Sequence, residues 1–212
     1  GITGGEPLIR EDFFEILDAL AEREISVSIL YTNGWLLDEA LLDKLEERKM
    51  HPSFQLSFDG IGWHDFLRGV PGAEEKTINA LKLLRDRHYN VSVSICIHRK
   101  NRDTLRESVK LLADLGVKSI KCGRMMELGE WAEEEVRDLR LTRQEELEMF
   151  EDYIPQYFED DAPLSIMMGD TLMYTPGDDT WRIYDVKKIT EEEAKIAPSC
   201  GVLLHNFYIG AD

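Results

Sequence analysis

The stretch Asn90-Val91-Ser92-Val93-Ser94-Ile95-Cys96-Ile97-His98 decides how this chain is read. Side chains alternate faces along an extended strand. Val91, Val93, Ile95 and Ile97 therefore share one side, and Ser92, Ser94, Cys96 and His98 the other. One face is greasy and meets helices; the other is hydrophilic and meets something wet. Upstream, Phe54, Leu56 and Phe58 oppose Gln55, Ser57 and Asp59. In the strand before that, Val27, Ile29 and Tyr31 are expected on the greasy side, opposing Ser26, Ser28, Leu30 and Thr32. A parallel sheet covered by helices on both faces would carry continuous apolar strands, and a closed eight-stranded barrel is filled with Val, Ile and Leu. A wide, partly open barrel with a polar lumen explains the alternation.

Helical periodicity fills the gaps between strands. Ile16, Leu17, Leu20 and Ala21 recur at helical spacing, as do Ile78, Leu81 and Leu84, then Leu105, Val109, Leu112 and Leu115. The remaining strands read as Ser26–Tyr31, Ser53–Phe58 and Val117–Lys121. Strand and helix thus alternate regularly, which implies parallel strands joined by crossover helices. The fold class is α/β. Past residue 122 the alternation fades. Thr142 with Glu145 forms a capping box that opens a helix running to about Phe158. From Pro163 on, turn residues such as Pro176-Gly177-Asp178-Asp179 predict an irregular or partly β tail. The expected organisation is a core over 1–122, a connecting segment and helix over 123–162, and a C-terminal extension over 163–212.

Composition excludes several classes. The net charge of −17 repels nucleic acid, whose binding needs Lys and Arg to neutralise phosphates. Runs such as Glu133-Glu134-Glu135 and Glu191-Glu192-Glu193 read as solvated helix faces. No apolar run approaches the roughly 20 residues that span a bilayer, and no signal peptide is visible. Cys96, Cys122 and Cys200 are odd in number and widely spaced, so a disulfide framework is not expected and a cytoplasmic setting is. The first residue is Gly1, not Met, and the opening reads as the end of a strand, so the chain is expected to be a piece of a longer protein.

Chemistry-bearing residues gather at the carboxyl ends of strands, where parallel α/β folds place their sites. Gly4-Gly5-Glu6-Pro7 combines two glycines that let a ligand approach the backbone, a carboxylate that can hold an ammonium group, and a stiffening proline; a plain strand–turn–helix connector would use the same residues. Thr32-Asn33-Gly34 closes the next strand and Ser57-Phe58-Asp59-Gly60 the one after. His64-Asp65, Leu67-Arg68-Gly69 and Pro71-Gly72 follow, and Asn101 comes after the strand that holds Cys96.

That ordered series resembles the radical S-adenosylmethionine (SAM) family, and more narrowly its SPASM-containing branch, which matures peptides and proteins. The resemblance runs from Gly1 to about Lys121. It implies a partial (β/α)6 TIM-like barrel missing its first strand, with an irregular C-terminal extension. It also implies that Gly4, Gly5 and Glu6, with Pro7, bind the amino group of SAM. Ser57 and Asp59 would reach the ribose or the methionine carboxylate, and Arg68 would pair with that carboxylate. For Arg68 an ion pair with Asp59 or Asp65 is the equal alternative. Asn101 is either a ligand contact or a turn residue.

The family's CxxxCxxC loop, which holds its 4Fe–4S cluster, has no counterpart in the sequence, and Cys96 and Cys122 lack companions at short spacing. Cys200-Gly201 resembles the opening of a SPASM module, where the cysteine would ligate an auxiliary cluster. The expected function is that of a radical SAM oxidoreductase acting on a peptide or protein substrate, of which this chain alone would be inactive and would contain no catalytic residue. An exposed strand edge would invite self-association. The alternative is a non-catalytic nucleotide-binding or scaffold module on a degenerate barrel. An acid–base barrel of aldolase type would need a positioned catalytic pair, and no Lys, His or Glu constellation supplies one; His98 reads as a structural histidine.

Overall fold

A computed structural model describes residues 1–125, 134–169, 172–177 and 182–183. Five parallel strands form its frame: β1 (Ile29–Thr32), β2 (Ser53–Ser57), β3 (Val91–Ile97), β4 (Ser119–Arg124) and β5 (Ser165–Met168). Two short strands, β6 (Leu172–Tyr174) and β7 (Arg182–Ile183), continue the sheet antiparallel. At the opposite edge Ile2 makes a single parallel bridge to Leu30, through Ile2 N–H to the Ile29 carbonyl and Tyr31 N–H to the Ile2 carbonyl, each 2.9 Å. The strands follow one another in chain order, so the sheet is open and partly barrel-like.

Helices cover one face. They are α1 (Phe13–Ala21), α2 (Glu39–Glu47), α3 (His64–Arg68), α4 (Ala73–Asp86), α5 (Leu105–Asp114) and α6 (Arg143–Glu159). In α4 the buried set Ala73, Thr77, Ala80, Leu81 and Leu84 lies on one stripe, with Glu74 and Glu75 in the first turn and Arg85 in the last, where each charge complements the helix dipole. Asp38 caps α2 through the Leu41 N–H at 2.8 Å. Thr142 and Glu145 form the reciprocal capping box at the start of α6 that the sequence predicts. Arg99 grips Glu145, and Arg106 and Lys110 grip Asp160, tying α6 to the β3–α5 unit. Those cations hold both carboxyl groups down to about 2.

Leu30, Phe54, Leu56, Val91, Val93, Ile95, Ile97, Ile120, Ile166 and Met168 form the sheet's share of the core beneath these helices. The register fixes what the other face carries. Tyr31, Gln55, Ser92, Ser119 and Ser165 stand in one row, Ser57, Ser94, Lys121 and Met167 in the next, and Cys96 beside Gly123 in a third. All are half-buried or exposed. The two-sided reading of β2 and β3 therefore holds. That of β1 does not: Leu30 and Thr32 are buried toward the helices, while Ile29 and Tyr31 line the polar side. Ser26 and Ser28, which made the Leu30 set look hydrophilic, precede the ladder, and inside it Leu30 is locked opposite Phe54 and Thr32 opposite Leu56. The parallel ladder also extends past residue 122, because β5 pairs with β4 from Ser119↔Ser165 to Cys122↔Met168. Among the described residues no helix is long and apolar enough to cross a membrane.

Candidate cofactor site at the carboxyl ends of the strands

The first site segment leaves the Ile2 bridge. Gly4 has φ +149°, a conformation that disfavours any side chain, and a Cβ added at Gly4 or Gly5 would meet nothing within 4 Å. Bare backbone here faces open space. Glu6 then turns back into the protein. Its Oε1 accepts from the Leu8 N–H at 3.1 Å and from the Thr32 hydroxyl at 2.9 Å, and its Oε2 accepts from the Asn33 N–H at 2.7 Å. Pro7 opens the 3-10 turn Pro7–Ile9 that Glu6 caps. The Glu6 carboxylate thus ties the Gly4-Gly5 segment to the loop after β1. Gly34 in that loop (φ +81°) packs so closely that a Cβ would approach Leu56 at 3.1 Å and Ala80 at 3.3 Å.

The second segment follows β2. Asp59 is fully buried. Its Oδ2 accepts from Arg68 Nε at 2.8 Å and lies 3.0 Å from His64 Nδ1; its Oδ1 accepts from the Cys96 N–H at 3.0 Å. The Asp59 N–H also donates to His64 Nδ1 at 3.0 Å. His64 Nε2 lies 3.2 Å from the Thr77 hydroxyl. Thr77 in turn donates to the Asn33 carbonyl at 3.4 Å. Asn101, also buried, gives one amide proton to the Asp59 carbonyl at 2.7 Å and one to the Cys96 carbonyl at 2.8 Å, and accepts from the His98 N–H at 2.7 Å. Asp65 caps the Gly72 and Glu74 N–H groups, and those bonds hold its carboxyl below the usual range.

These contacts place the sequence-derived residues. Glu6 meets the Asn33 loop, Asp59 meets both Arg68 and Asn101, and Thr77 with His64 joins the two groups into one network. Asp59 and Asn101 spend their side chains inside the protein, while Glu6 is half-buried and its Oε2 accepts one bond only. Of the sequence-derived site residues, the half-buried Ser57 hydroxyl, in the polar row, and the terminal nitrogens of Arg68, whose side chain is 35% exposed, have no protein partner among the described residues. The open question of Arg68's partner resolves to Asp59, because both Asp65 oxygens serve the start of α4. Thr77 was missed by the sequence reading; a hydroxyl on the buried stripe of α4 was the available signal. His98 is buried against the rings of Trp63 and Phe66; its Nδ1 accepts from the Lys100 N–H at 3.2 Å, its Nε2 has no partner, and burial lowers its pKa.

The described residues fit an amino-acid nucleotide better than a metal cluster. Open backbone at Gly4-Gly5, a free hydroxyl and a free guanidinium fork suit the polar groups of SAM. No group of three His, Cys, Asp or Glu among the described residues could hold a metal ion. Cys96 lies on the polar face and Cys122 in the core on the opposite one, so the two cannot share a cluster; burial pushes both thiols up to about 12. Cys200 lies outside the described residues. Two surface cavities, of about 420 Å³ between α5 and α6 and about 490 Å³ between the Gly34–Leu37 loop and α4, lie on the helical side of the sheet.

An AdoMet-dependent heme synthase of Methanosarcina barkeri is 32% identical over 117 residues, 54% of this chain and 33% of that protein. A PqqA peptide cyclase of Granulibacter bethesdensis is 29% identical over 149 residues, 69% of this chain and 39% of that protein. The chain therefore spans between a third and two-fifths of these curated relatives. In fold, it is similar to anSMEcpe solved with bound AdoMet and the Kp18Cys peptide, with a TM-score of 0.60 at 18% identity over 90% of this chain and 64% of that one. Residues 1–112, more than half the chain and both site segments, match the family model for the Radical SAM superfamily, and the chain belongs to that superfamily.

Proposed function

We propose that these residues are the SAM cradle of an enzyme that cleaves SAM reductively and abstracts hydrogen from a peptide or protein substrate, in the manner of the SPASM-containing branch. The single observation that carries the reading is the pair of unspent polar groups, the Ser57 hydroxyl and the Arg68 fork, beside bare glycine backbone at the same end of one parallel sheet. A carboxylate suits that pair, and the peptide-level neighbours of Gly4 and Gly5 suit the ammonium group. The PqqA peptide cyclase and the peptide-bound anSMEcpe structure support a peptide substrate.

The described residues hold no cluster ligands, so on this reading the 4Fe–4S cluster is held elsewhere and the described part binds SAM without cleaving it. Cys200 would belong to an auxiliary cluster, the free thiols suit a reducing cytoplasm, and the edge beside Ile2 could take a strand from a second copy. A non-catalytic nucleotide-binding module would use the same cradle, and the lack of cluster ligands among the described residues is what favours it; a stoichiometric 4Fe–4S spectrum in the longer protein would exclude it.

Binding is tested by ligand-observed NMR or calorimetry with SAM. Wild type is expected to bind saturably. Ser57→Ala, which removes one hydrogen bond to a charged group, should bind about tenfold more weakly, and Gly5→Val, which fills the open backbone, should abolish binding. Unchanged affinity in both variants would remove these residues from the site.

A further inference from the structure

We infer that Asp59 is a positioning residue: it fixes Arg68 through Nε so that the terminal nitrogens form a fork selective for a carboxylate-bearing ligand, and it never touches the ligand itself. The inference rests on the SAM reading above and assigns the source of the site's preference for an amino-acid end.

The geometry leaves Asp59 no other part. A buried carboxylate is costly unless it is paired and hydrogen-bonded, and Asp59 is at 0% exposure. Its Oδ1 is committed to the Cys96 N–H, its Oδ2 to Arg68 Nε with His64 Nδ1 3.0 Å away, and its backbone carbonyl to Asn101. Rotating the carboxylate toward a ligand would break the first two bonds at once. Arg68 is the complementary case. A guanidinium carries five N–H donors in a rigid plane. Anchoring the Nε–H at 2.8 Å fixes that plane and leaves the four terminal N–H donors without protein partners among the described residues. The Nε–H is anchored on a fully buried carboxylate while the Arg68 side chain is 35% exposed. A planar fork matches a carboxylate bidentately, and preorganisation reduces the entropy lost on binding. Ser57, the last residue of β2, lies two residues before Asp59 and supplies a further hydroxyl donor at the same end of the strand.

The test compares SAM with decarboxylated SAM, S-adenosyl-3-methylthiopropylamine, which keeps the sulfonium and nucleoside and lacks the carboxylate. Both are titrated into the full chain by ligand-observed NMR, with circular dichroism as a check on folding. Wild type should prefer SAM by about tenfold or more. In Asp59→Asn that preference should fall to about twofold while affinity for the decarboxylated analogue stays as in wild type. Arg68→Lys retains a cation for Asp59 and loses the fork; it should lose the preference in the same way, and it keeps the inference testable if Asp59→Asn does not fold. A wild type that does not bind SAM would sink the SAM reading and this inference together. A wild type that prefers SAM, with either variant keeping the full preference or losing both ligands equally, would overturn the positioning role alone.

Discussion

Asn101→Ala is expected to lower the stability of the chain by about 3–5 kcal/mol, measured as a fall in the urea midpoint at constant slope. The side chain is buried and makes three short hydrogen bonds, all to main chain. The β2–β3 ladder ends at Ser57↔Ser94, with one further bond from the Phe58 N–H to the Ser94 carbonyl. Beyond that point the strands have no common ladder, and the Asn101 amide replaces it by bridging the Asp59 and Cys96 carbonyls. Truncation leaves two acceptors and the His98 N–H unmet, each costing about 1–3 kcal/mol where water cannot enter. Partial hydration of the void keeps the sum below the maximum. Asn101→Asp should be no better, since it sets a carboxylate oxygen against the carbonyls the amide had satisfied. A loss under about 1 kcal/mol would mean that the loop is held by something else.

Glu6→Ala should weaken SAM binding on the order of 100-fold, mostly through loss of preorganisation. Among the described residues the carboxylate is the one side chain joining the Gly4-Gly5 segment to the Thr32-Asn33 turn, with bonds of 2.9 and 2.7 Å, and it also caps the turn at Leu8. Without it two loops from separate strands must be ordered by the ligand. The groups it leaves behind are nearer to solvent than those around Asn101, so stability should fall by only about 1–2 kcal/mol. Hydrogen exchange gives the independent readout: the Leu8 and Asn33 amides should lose protection, and Glu6→Gln, which keeps one acceptor oxygen, should fall between. Unchanged protection at Asn33 would contradict the tie.

Much of this was legible in the sequence because the signals were local. The alternation in 91–97, the helical stripe of α4 and α5 and the capping box at Thr142 each depend on residues within a turn or two of one another, and each appears in the structure. Residues at strand ends could likewise be gathered at one rim once parallel strands were inferred. What was not legible is what depends on partners far along the chain. The face of β1 was read inverted because the ladder starts only at Ile29, which sequence alternation cannot locate. β5 is four residues long, Ser-Ile-Met-Met, and its strand character comes from pairing with β4 more than from propensity. Asp59 and Asn101 were recognised as site residues by type and position, but the structure shows their side chains bonded within the protein, and no sequence pattern reports which side of a turn a carboxylate bonds to.

The measurement that bears most directly on this account is a crystal structure of the chain soaked with SAM. The account predicts ligand density at the carboxyl ends of the parallel strands, with the carboxylate bridging the Arg68 fork and the Ser57 hydroxyl and the amino group over Gly4-Gly5. Density in the groove between α5 and α6 instead, with the Arg68 fork still free, would contradict it.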